Sequence, residues 1–368
     1  MRHDRVRAVC SAPPRRGLLI VVAAISVALL IGLSLHGLIH GQERQGLQDT
    51  QERHLKNIKQ LTFGGQNAEA YFSREGTRLT FQSTRDPFMC DQIFTMKTDG
   101  SNVRLVSTGK GRTTCSFFFP DRPSLIYSST HLAGSACPPA PDRSQGYVWP
   151  IYPEYDIFRV NFDGVGLRRL TDTPGYDAEA AVSPDGKRIV FTSMRDGDLE
   201  LYAMNADGTD VRRLTFAKGY DGGPFFSSDG TKIVYRAYHP KAETEIREYE
   251  ALLRQHLTRP SRMEIFLMNA DGSNQRQITD NGAANFAPFM HPNGRQIIFS
   301  SNLHDPSRRA FALYLINVDG TGLERVTYGD TFASFPMFSP DGTKLVFASH
   351  RNRKLPGEIN IFIADWVP

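Results

Sequence analysis

Six apolar stretches of the sequence are each followed, within three residues, by a histidine or an arginine. The side chains at these positions are Arg85, His131, Arg195, His239, His304, His350 and Arg351. Acidic side chains belong to two of the same repeats, at Asp177, Glu179 and Asp221. Arginine and histidine bind carboxylates through charge-assisted hydrogen bonds. If the repeats bring these ten positions to one channel mouth, they form a binding site for a polar or anionic ligand such as a carboxylate, a sugar acid or a peptide terminus.

Catalysis at the same mouth is the second hypothesis. Four histidines, His131, His239, His304 and His350, are able in principle to hold a metal ion or to act as acid–base groups. However, no histidine pair has HxH or HExxH spacing, and the sequence contains no GxSxG nucleophile motif. The sequence therefore predicts no catalytic residue, metal ligand or cofactor, and it favours a non-catalytic binding and scaffolding module. A solvated rim, whose polar groups satisfy one another and water, is a third explanation.

The elements that must position these residues repeat along the chain. One series of turns comprises SREG (73–76), FPDR (119–122), SPDG (183–186), SSDG (227–230), HPNG (291–294) and SPDG (339–342). A second series comprises TDG (98–100), FDG (162–164), ADG (206–208), ADG (270–272) and VDG (318–320). Alternating β-branched and aromatic runs separate these turns, as in antiparallel strands joined by hairpins. Six repeats of four strands each predict an all-β, six-bladed β-propeller.

The last repeat lacks a fourth strand before the sequence ends at Pro368. The segment IKQLT (58–62) has the missing pattern, so we expect this N-terminal strand to complete the sixth blade and close the ring. With its SPDG, NADG and RLT pattern, the sequence over about residues 57–368 resembles the six-bladed TolB-like propellers. The resemblance implies the propeller fold but leaves the function open, because similar blades occur in prolyl-oligopeptidase-like and oligogalacturonate-lyase-like enzymes. Residues 41–56 are too few for the α/β domain that precedes the propeller in TolB itself.

Two repeats carry insertions between their second and third strands, at residues 131–155 and 239–262. The second insertion predicts a helix at about 242–257 with an apolar stripe. The stripe consists of Ile246, Tyr249, Leu253 and Leu257. Both insertions belong to the face that carries the histidines and arginines, and insertions on one face often mark the binding face. The helix is either docked on its own blade or a lid over the channel mouth.

Three cysteines, Cys90, Cys115 and Cys137, belong to the same predicted face. In an oxidising compartment one disulfide is plausible, and the spacing leaves Cys115–Cys137 and Cys90–Cys137 as alternatives. A Cys₃His zinc site with His131 is a weaker hypothesis in such a compartment. Buried, inert thiols are the remaining explanation.

The N-terminal region predicts a membrane anchor. Residues 17–39 form an apolar run long enough to cross the hydrocarbon core, and five arginines precede it within residues 1–16. The positive-inside rule then gives a cytoplasmic tail, a single-pass anchor in the cytoplasmic membrane, a linker (40–56) and a propeller (57–368) on the periplasmic or extracytoplasmic side. An uncleaved anchor is favoured over a cleaved signal peptide, because no small-x-small cleavage site follows the apolar run.

The charge distribution indicates which partners to expect. The arginine-rich tail accounts for the whole formal net charge of +4, so the rest of the chain is electrically balanced. A surface for nucleic acid therefore has no support. We expect an envelope protein, a peptide or a glycan as the partner, with the membrane contacted through residues 17–39.

Overall fold

The computed structural model describes residues 47–144, 146–329 and 332–368. The predicted cytoplasmic tail and membrane segment, residues 1–39, lie outside the described residues, as does the first part of the linker. Within the described ranges, no helix has the length and apolar character needed to cross a membrane. These ranges form six four-stranded antiparallel sheets with very little helix, which confirms the predicted all-β, six-bladed β-propeller.

Blades 1 to 3 follow the turn series of the sequence. Blade 1 consists of β2 (Gln66–Phe72), β3 (Arg78–Thr84), β4 (Gln92–Lys97) and β5 (Arg104–Leu105). Blade 2 consists of β6 (Thr113–Phe118), β7 (Ser124–Ser129), β9 (Asp156–Asn161) and β10 (Arg168–Arg169). Blade 3 consists of β11 (Asp177–Val182), β12 (Arg188–Ser193), β13 (Glu200–Asn205) and β14 (Arg212–Arg213).

Blades 4 to 6 repeat the same order. Blade 4 consists of β15 (Tyr220–Phe226), β16 (Lys232–Tyr238), β18 (Glu264–Asn269) and β19 (Arg276–Gln277). Blade 5 consists of β20 (Asn285–Met290), β21 (Gln296–Ser301), β22 (Ala312–Asn317) and β23 (Glu324–Arg325). Blade 6 consists of β24 (Ala333–Phe338), β25 (Lys344–Ser349), β26 (Asn360–Trp366) and β1 (Leu55–Gln60), whose Leu55 lies opposite Trp366.

The first strands of the six blades form a closed ring. Each first strand contacts the first strand of the next blade, and β24 of the last blade contacts β2 of the first. Apolar cores fill the spaces between blades. Between blades 2 and 3, for example, Ile126 and Ile157 pack with Ile189 and Phe191, all of them fully buried. Because the second and third strands of each blade face a neighbouring blade on both sides, their residues are buried almost continuously, whereas the short fourth strands are largely exposed. The packing between blades holds the first strands rigidly around the channel.

The two insertions are joined to each other. The second insertion contains helix α1 (Glu243–Leu253), which is shorter than the predicted 242–257 because His256 adopts a left-handed backbone (φ 56°) and redirects the chain. The following strand β17 (Leu257–Thr258) then pairs with β8 (Trp149–Pro150) of the first insertion. We call residues 146–152 and 256–261 the cap.

Helix α1 is docked on the propeller. Tyr249, Leu252 and Leu253 are buried, and the Tyr249 hydroxyl lies 2.6 Å from Asp198 Oδ1 and 2.7 Å from the Gly219 carbonyl oxygen. Asp198 lies just before the third strand of blade 3, β13, and Gly219 lies between its fourth strand, β14, and β15 of blade 4. The helix therefore supports the cap from the side of blades 3 and 4.

Candidate functional site

The wall of the channel is shaped by the same backbone feature in all six first strands. Each strand carries a bulge at its middle, where the pairing register with the second strand shifts. The bulge residue has a left-handed backbone, with φ between 46° and 59°, and we call the six together the bulge ring. The bulge ring consists of Glu69, Cys115, Glu179, Gly223, Ala287 and Phe335. Because a bulge redirects its side chain, all six residues line the narrowest part of the channel, where polar residues of blades 1 to 3 face small or apolar residues of blades 4 to 6.

A buried ion pair crosses this ring. Arg236 of β16 binds Glu179, and its Nη2 also donates to the Tyr220 hydroxyl at 2.7 Å. Gly223 makes the pair possible, since a Cβ atom at this position would lie 2.1 Å from Arg236 Nη1. Glu179 accepts further hydrogen bonds from Thr192 Oγ1 at 2.8 Å and from the Gly223 amide at 2.9 Å. Glu179 is thus fully supplied with donors and is held in one position.

Glu69 is the second carboxyl of the ring, and its environment differs from that of Glu179. Its Oε2 atom has less than 1 Å² of accessible area and no hydrogen-bond partner among the described residues. Burial raises the pKa of Glu69 to about 7, although a hydrogen bond with the Cys115 thiol and the charge of Arg236 act against the rise. The repulsion from Glu179 adds to the rise. Glu69 is therefore an incompletely satisfied acid at the channel constriction.

Above the ring, the channel widens into a cavity of about 870 Å³, which we call the central cavity. A chain of aromatic rings, in which neighbouring ring centroids are 5.0–6.5 Å apart, runs from the cap across blades 5 and 6. This aromatic wall consists of Trp149, Phe286, Phe311, Phe332 and Phe335. The cap residue Trp149 also contacts the ion pair of the bulge ring, because the Arg236 guanidinium is 5.2 Å from the centroid of the Trp149 ring. The cap thus closes part of the opening and joins the aromatic wall to the ion pair.

Cationic side chains stand at the opening of the central cavity. Arg259 of the cap lines it and is paired with Glu248 at 3.2 Å. Arg308 and Arg309 line it from the loop between β21 and β22, and both are exposed. Neither makes an ion pair with a carboxylate among the described residues. Exposed guanidinium groups beside aromatic rings attract ligands that combine an apolar part with a carboxylate.

The residues predicted to bind a ligand occupy different places from these. Among the described residues that line the central cavity, Glu179 is the one member of the predicted set. Three of the predicted cations instead bind the first strand of their own blade. Arg195 donates to Asp177 at 3.0 Å, His239 Nε2 lies 3.0 Å from Asp221 Oδ1, and Arg85 donates to the Asn67 amide oxygen at 2.6 Å. The Asp221 partner raises the pKa of His239 against the lowering effect of burial.

The remaining predicted residues also contact their own surroundings. His131 Nδ1 lies 2.9 Å from Ser129 Oγ, and burial lowers the pKa values of His131 and His304. The His350 ring lies tilted against Phe332 with 5.1 Å between ring centroids, and Arg351 donates to the buried Glu52 at 2.6 Å. The interaction of these residues with a ligand stays a prediction. Across the described parts of the chain, no three His, Cys, Asp or Glu side chains form a group that could hold a metal ion.

The structure distinguishes between the two disulfide alternatives. Cys90 and Cys137 form the disulfide, with 6.0 Å between their Cα atoms, whereas Cys115 is a free thiol in the bulge ring. The disulfide connects the first insertion to the loop between β3 and β4 of blade 1. Together with the pairing of β8 and β17, it attaches the first insertion to blade 1 and to the second insertion, which belongs to blade 4.

Sequence reasoning missed Arg236 and the aromatic wall. A signal for Arg236 was present in the aligned repeats: the fifth residue of the second-strand run is Arg236 in blade 4, where the other blades have uncharged residues. At the facing bulge position, blade 4 has Gly223 instead of a side chain. A large cationic side chain in a blade whose bulge position has no side chain indicates that the cation, Arg236, extends across the channel through the space left by Gly223. The aromatic wall had no comparable signal, because its members come from first strands, loops and the cap.

A closed ring of six four-stranded sheets around a capped channel defines a β-propeller. Residues 152–259 match the family model of the TolB beta propeller domain, and the chain is a TolB-like six-bladed β-propeller. No curated protein sequence matches this chain.

Two solved TolB structures share the fold. Putative TolB from Agrobacterium tumefaciens superposes with a TM-score of 0.55 at 20% identity, over 84% of this chain and 97% of that one. TolB from Acinetobacter baumannii superposes with a TM-score of 0.54 at 18% identity, over 82% of this chain and 64% of that one. An oligogalacturonate lyase in complex with manganese has a TM-score of 0.50 at 13% identity, over 87% of this chain and 95% of that one. At these identities the similarity concerns the fold, which serves both binding proteins and enzymes.

Proposed function

We propose that the chain is a non-catalytic binding and scaffolding module that captures a segment of a partner protein in the central cavity. The observation that carries the proposal is the combination of the aromatic wall with Arg308 and Arg309 at the opening. A volume of about 870 Å³ lies within the range of small-ligand sites, and it suits a few residues of peptide. Aromatic rings give a bound peptide apolar contact area, and a guanidinium fork binds its carboxylates.

We further propose that the propeller works on the extracytoplasmic side of the cytoplasmic membrane, anchored through residues 17–39. The apolar run after an arginine-rich tail supports this location. The Cys90–Cys137 disulfide supports it independently, because disulfides persist in oxidising compartments. The partner is then a protein, or a peptide segment, of the cell envelope.

A peptide selection tests the binding function. The full chain, in lipid nanodiscs, is used to select binders from a random heptapeptide library, and the affinities of the selected peptides are measured by calorimetry. We expect selected peptides to combine apolar and acidic residues, and to lose about fivefold or more in affinity on Phe311→Ala or on Arg308→Ala, since truncating an interface anchor costs about 1 kcal/mol or more. The matched controls are Phe216→Ala and Arg212→Ala, two exposed residues outside the cavity lining. Selected peptides that bind the cavity variants as tightly as the wild type would contradict the proposal.

A further inference from the structure

The constriction below the central cavity contains a hydrogen-bond acceptor that the fold does not use. Four donors near the ring are committed to the other carboxyl: Thr192, Tyr220, Gly223 and Arg236 all bind Glu179. Glu69 Oε2 receives no hydrogen bond among the described residues, and it faces the same constriction. A buried carboxylate oxygen without a donor is unfavourable, so this position is suited to a donor that arrives from outside.

The charges at the constriction favour a cationic donor. The ring carries two carboxyl groups, Glu69 and Glu179, and one guanidinium, Arg236, that is bound to the second of them. When Glu69 is ionised, these three side chains together carry one uncompensated negative charge. The aromatic ring of Phe335 lies in the same ring of side chains, and an aromatic face adds to the attraction for a cation.

The size of the space decides which cation fits. The free volume at the constriction is about 30 Å³, which is more than the roughly 10–15 Å³ that one water molecule needs and far less than the 870 Å³ of the central cavity. The compact ammonium group of a lysine suits so small a space better than the planar, five-donor guanidinium of an arginine, which needs several acceptors around it. An ammonium on a slender methylene stem reaches the constriction while its stem lies along the aromatic wall.

We propose that the constriction is a subsite for the ε-ammonium group of a lysine in the captured segment, with Glu69 as its carboxylate partner. This inference rests on the proposed function and adds to it the chemistry of one residue of the ligand. The partner segment then presents an acidic part to Arg308 or an apolar part to the aromatic wall. Its lysine side chain enters the constriction next to Glu69.

The groups that face Glu69 determine how the subsite depends on pH. They are the Tyr71 hydroxyl on β2, the Cys115 thiol on β6, Glu179 on β11 and Arg236 on β16, together with Asp91, which is paired with Arg112 at 3.0 Å. The pKa of Glu69 is about 7, so the free site is half protonated near neutral pH. An ammonium ion competes with that proton, while a lysine side chain stays charged up to about pH 10. Binding therefore strengthens as the pH rises through 7.

Two capped amino acids test the subsite. Nα-acetyl-lysine-N-methylamide carries the ammonium group, and Nα-acetyl-norleucine-N-methylamide has the same stem without it. Their dissociation constants for the full chain in nanodiscs are measured by ligand-detected NMR between pH 5.5 and 8.5. At pH 8 we expect the lysine probe to bind about 10- to 100-fold more tightly than the norleucine probe, as a charge-assisted hydrogen bond implies. In Glu69→Gln this advantage and its pH dependence disappear, while the matched control Glu154→Gln, at an exposed position outside the cavity lining, behaves as the wild type.

The two probes separate failure of the subsite from failure of the binding function. If both bind equally and Glu69→Gln changes nothing, the ammonium subsite is wrong and the cavity still binds ligands. If neither probe binds while selected heptapeptides do, the subsite is again wrong. If neither the probes nor the heptapeptide library give cavity-dependent binding, the proposed function itself fails. Norleucine binding to Glu69→Gln also shows that the variant is folded.

Discussion

Replacing Arg236 by methionine tests whether the ion pair across the bulge ring organises the channel. The side chains of Arg236 and Glu179 are 9% and 12% exposed, so each charge depends on the other. Removing one partner of a buried pair costs about 3–5 kcal/mol, because the other charge stays buried without compensation. Methionine is flexible and of similar length, so it fills the space without a large cavity.

The remaining contacts of Glu179 refine this magnitude. Its carboxylate keeps three donors, from Thr192, Tyr220 and Gly223, at 2.8–2.9 Å. These bonds lower the cost, whereas the loss of the cation–π contact with Trp149 adds to it, by about 1 kcal/mol or less for a partly exposed ring. We therefore expect Arg236→Met to lower the free energy of unfolding by about 3–4 kcal/mol at pH 8, in the range for a broken buried pair.

A double-mutant cycle shows whether this loss comes from the pair. Glu179→Gln alone leaves Arg236 buried and is expected to cost about 3 kcal/mol, whereas Glu179→Gln with Arg236→Met leaves no unpaired charge. The double variant should therefore lose at least about 2 kcal/mol less than the sum of the two single losses. Urea unfolding is followed by far-UV circular dichroism and tryptophan fluorescence, and the two transitions must coincide. A loss below about 1 kcal/mol in Arg236→Met, or additive losses in the double variant, would falsify this description of the pair.

Two further predictions concern stability. The Cys90–Cys137 disulfide closes a loop with a sequence separation of 47, so Cys90→Ser should lower the free energy of unfolding by about 4 kcal/mol in the chain-entropy model. A reductant should lower the stability of the wild type and of Cys115→Ser by the same amount. Urea unfolding with and without reductant measures both effects, and a wild type whose stability does not respond to reductant would contradict the disulfide. The pKa of Glu69, about 7 against an ordinary 4.5, means that the folded protein holds a proton that the unfolded chain releases, so its contribution to stability decreases as the pH rises from about 4.5 to about 7. Glu69→Gln should consequently be more stable than the wild type at pH 8, by up to about 3 kcal/mol, and should lose this advantage at pH 4.5. Urea unfolding at both pH values checks the sign, and an advantage confined to the lower pH would show that the ionised carboxylate, not the neutral acid, is the form that the fold favours.

The blades were predictable because their signals are local. An Asp-Gly turn and an alternating run such as RIVFTS (188–193) each specify a hairpin through neighbouring residues, and β12 spans that same run. The same reasoning failed to distinguish the two cysteine pairings, because both place partners on one face. The structure has the Cys90–Cys137 bridge, which depends on the path of a 25-residue insertion.

The site was less predictable because its contacts are not local. The rim cation Arg195 is predicted to contact a ligand, and this stays a prediction; the structure shows that it binds Asp177 of the adjacent strand, 18 residues earlier in the chain. Blades 1 and 4 have equivalent pairs, Arg85 with Asn67 and His239 with Asp221. In each pair, the cation that follows the second strand binds a polar residue at the start of the first strand and so stabilises the edge of the blade. The repeating pattern that suggested a ring of ligand-binding groups is therefore accounted for, in these blades, by a repeated structural contact. Residues that break the pattern, such as Arg236, are better candidates for function.

The same argument separates the two carboxyl groups of the bulge ring. Both occupy a left-handed bulge that the propeller backbone imposes on every blade, including blade 5, where alanine suffices. Glu179 has a structural explanation, since it binds a guanidinium and three other donors across the channel. Glu69 has none: its Oε2 lacks a donor within the described structure, and its raised pKa makes the charged form a source of instability at neutral pH. A glutamine or an alanine at position 69 would remove that instability without disturbing the bulge. The instability therefore needs an explanation from outside the fold, and a cationic group of a ligand supplies the missing donor and the missing charge together.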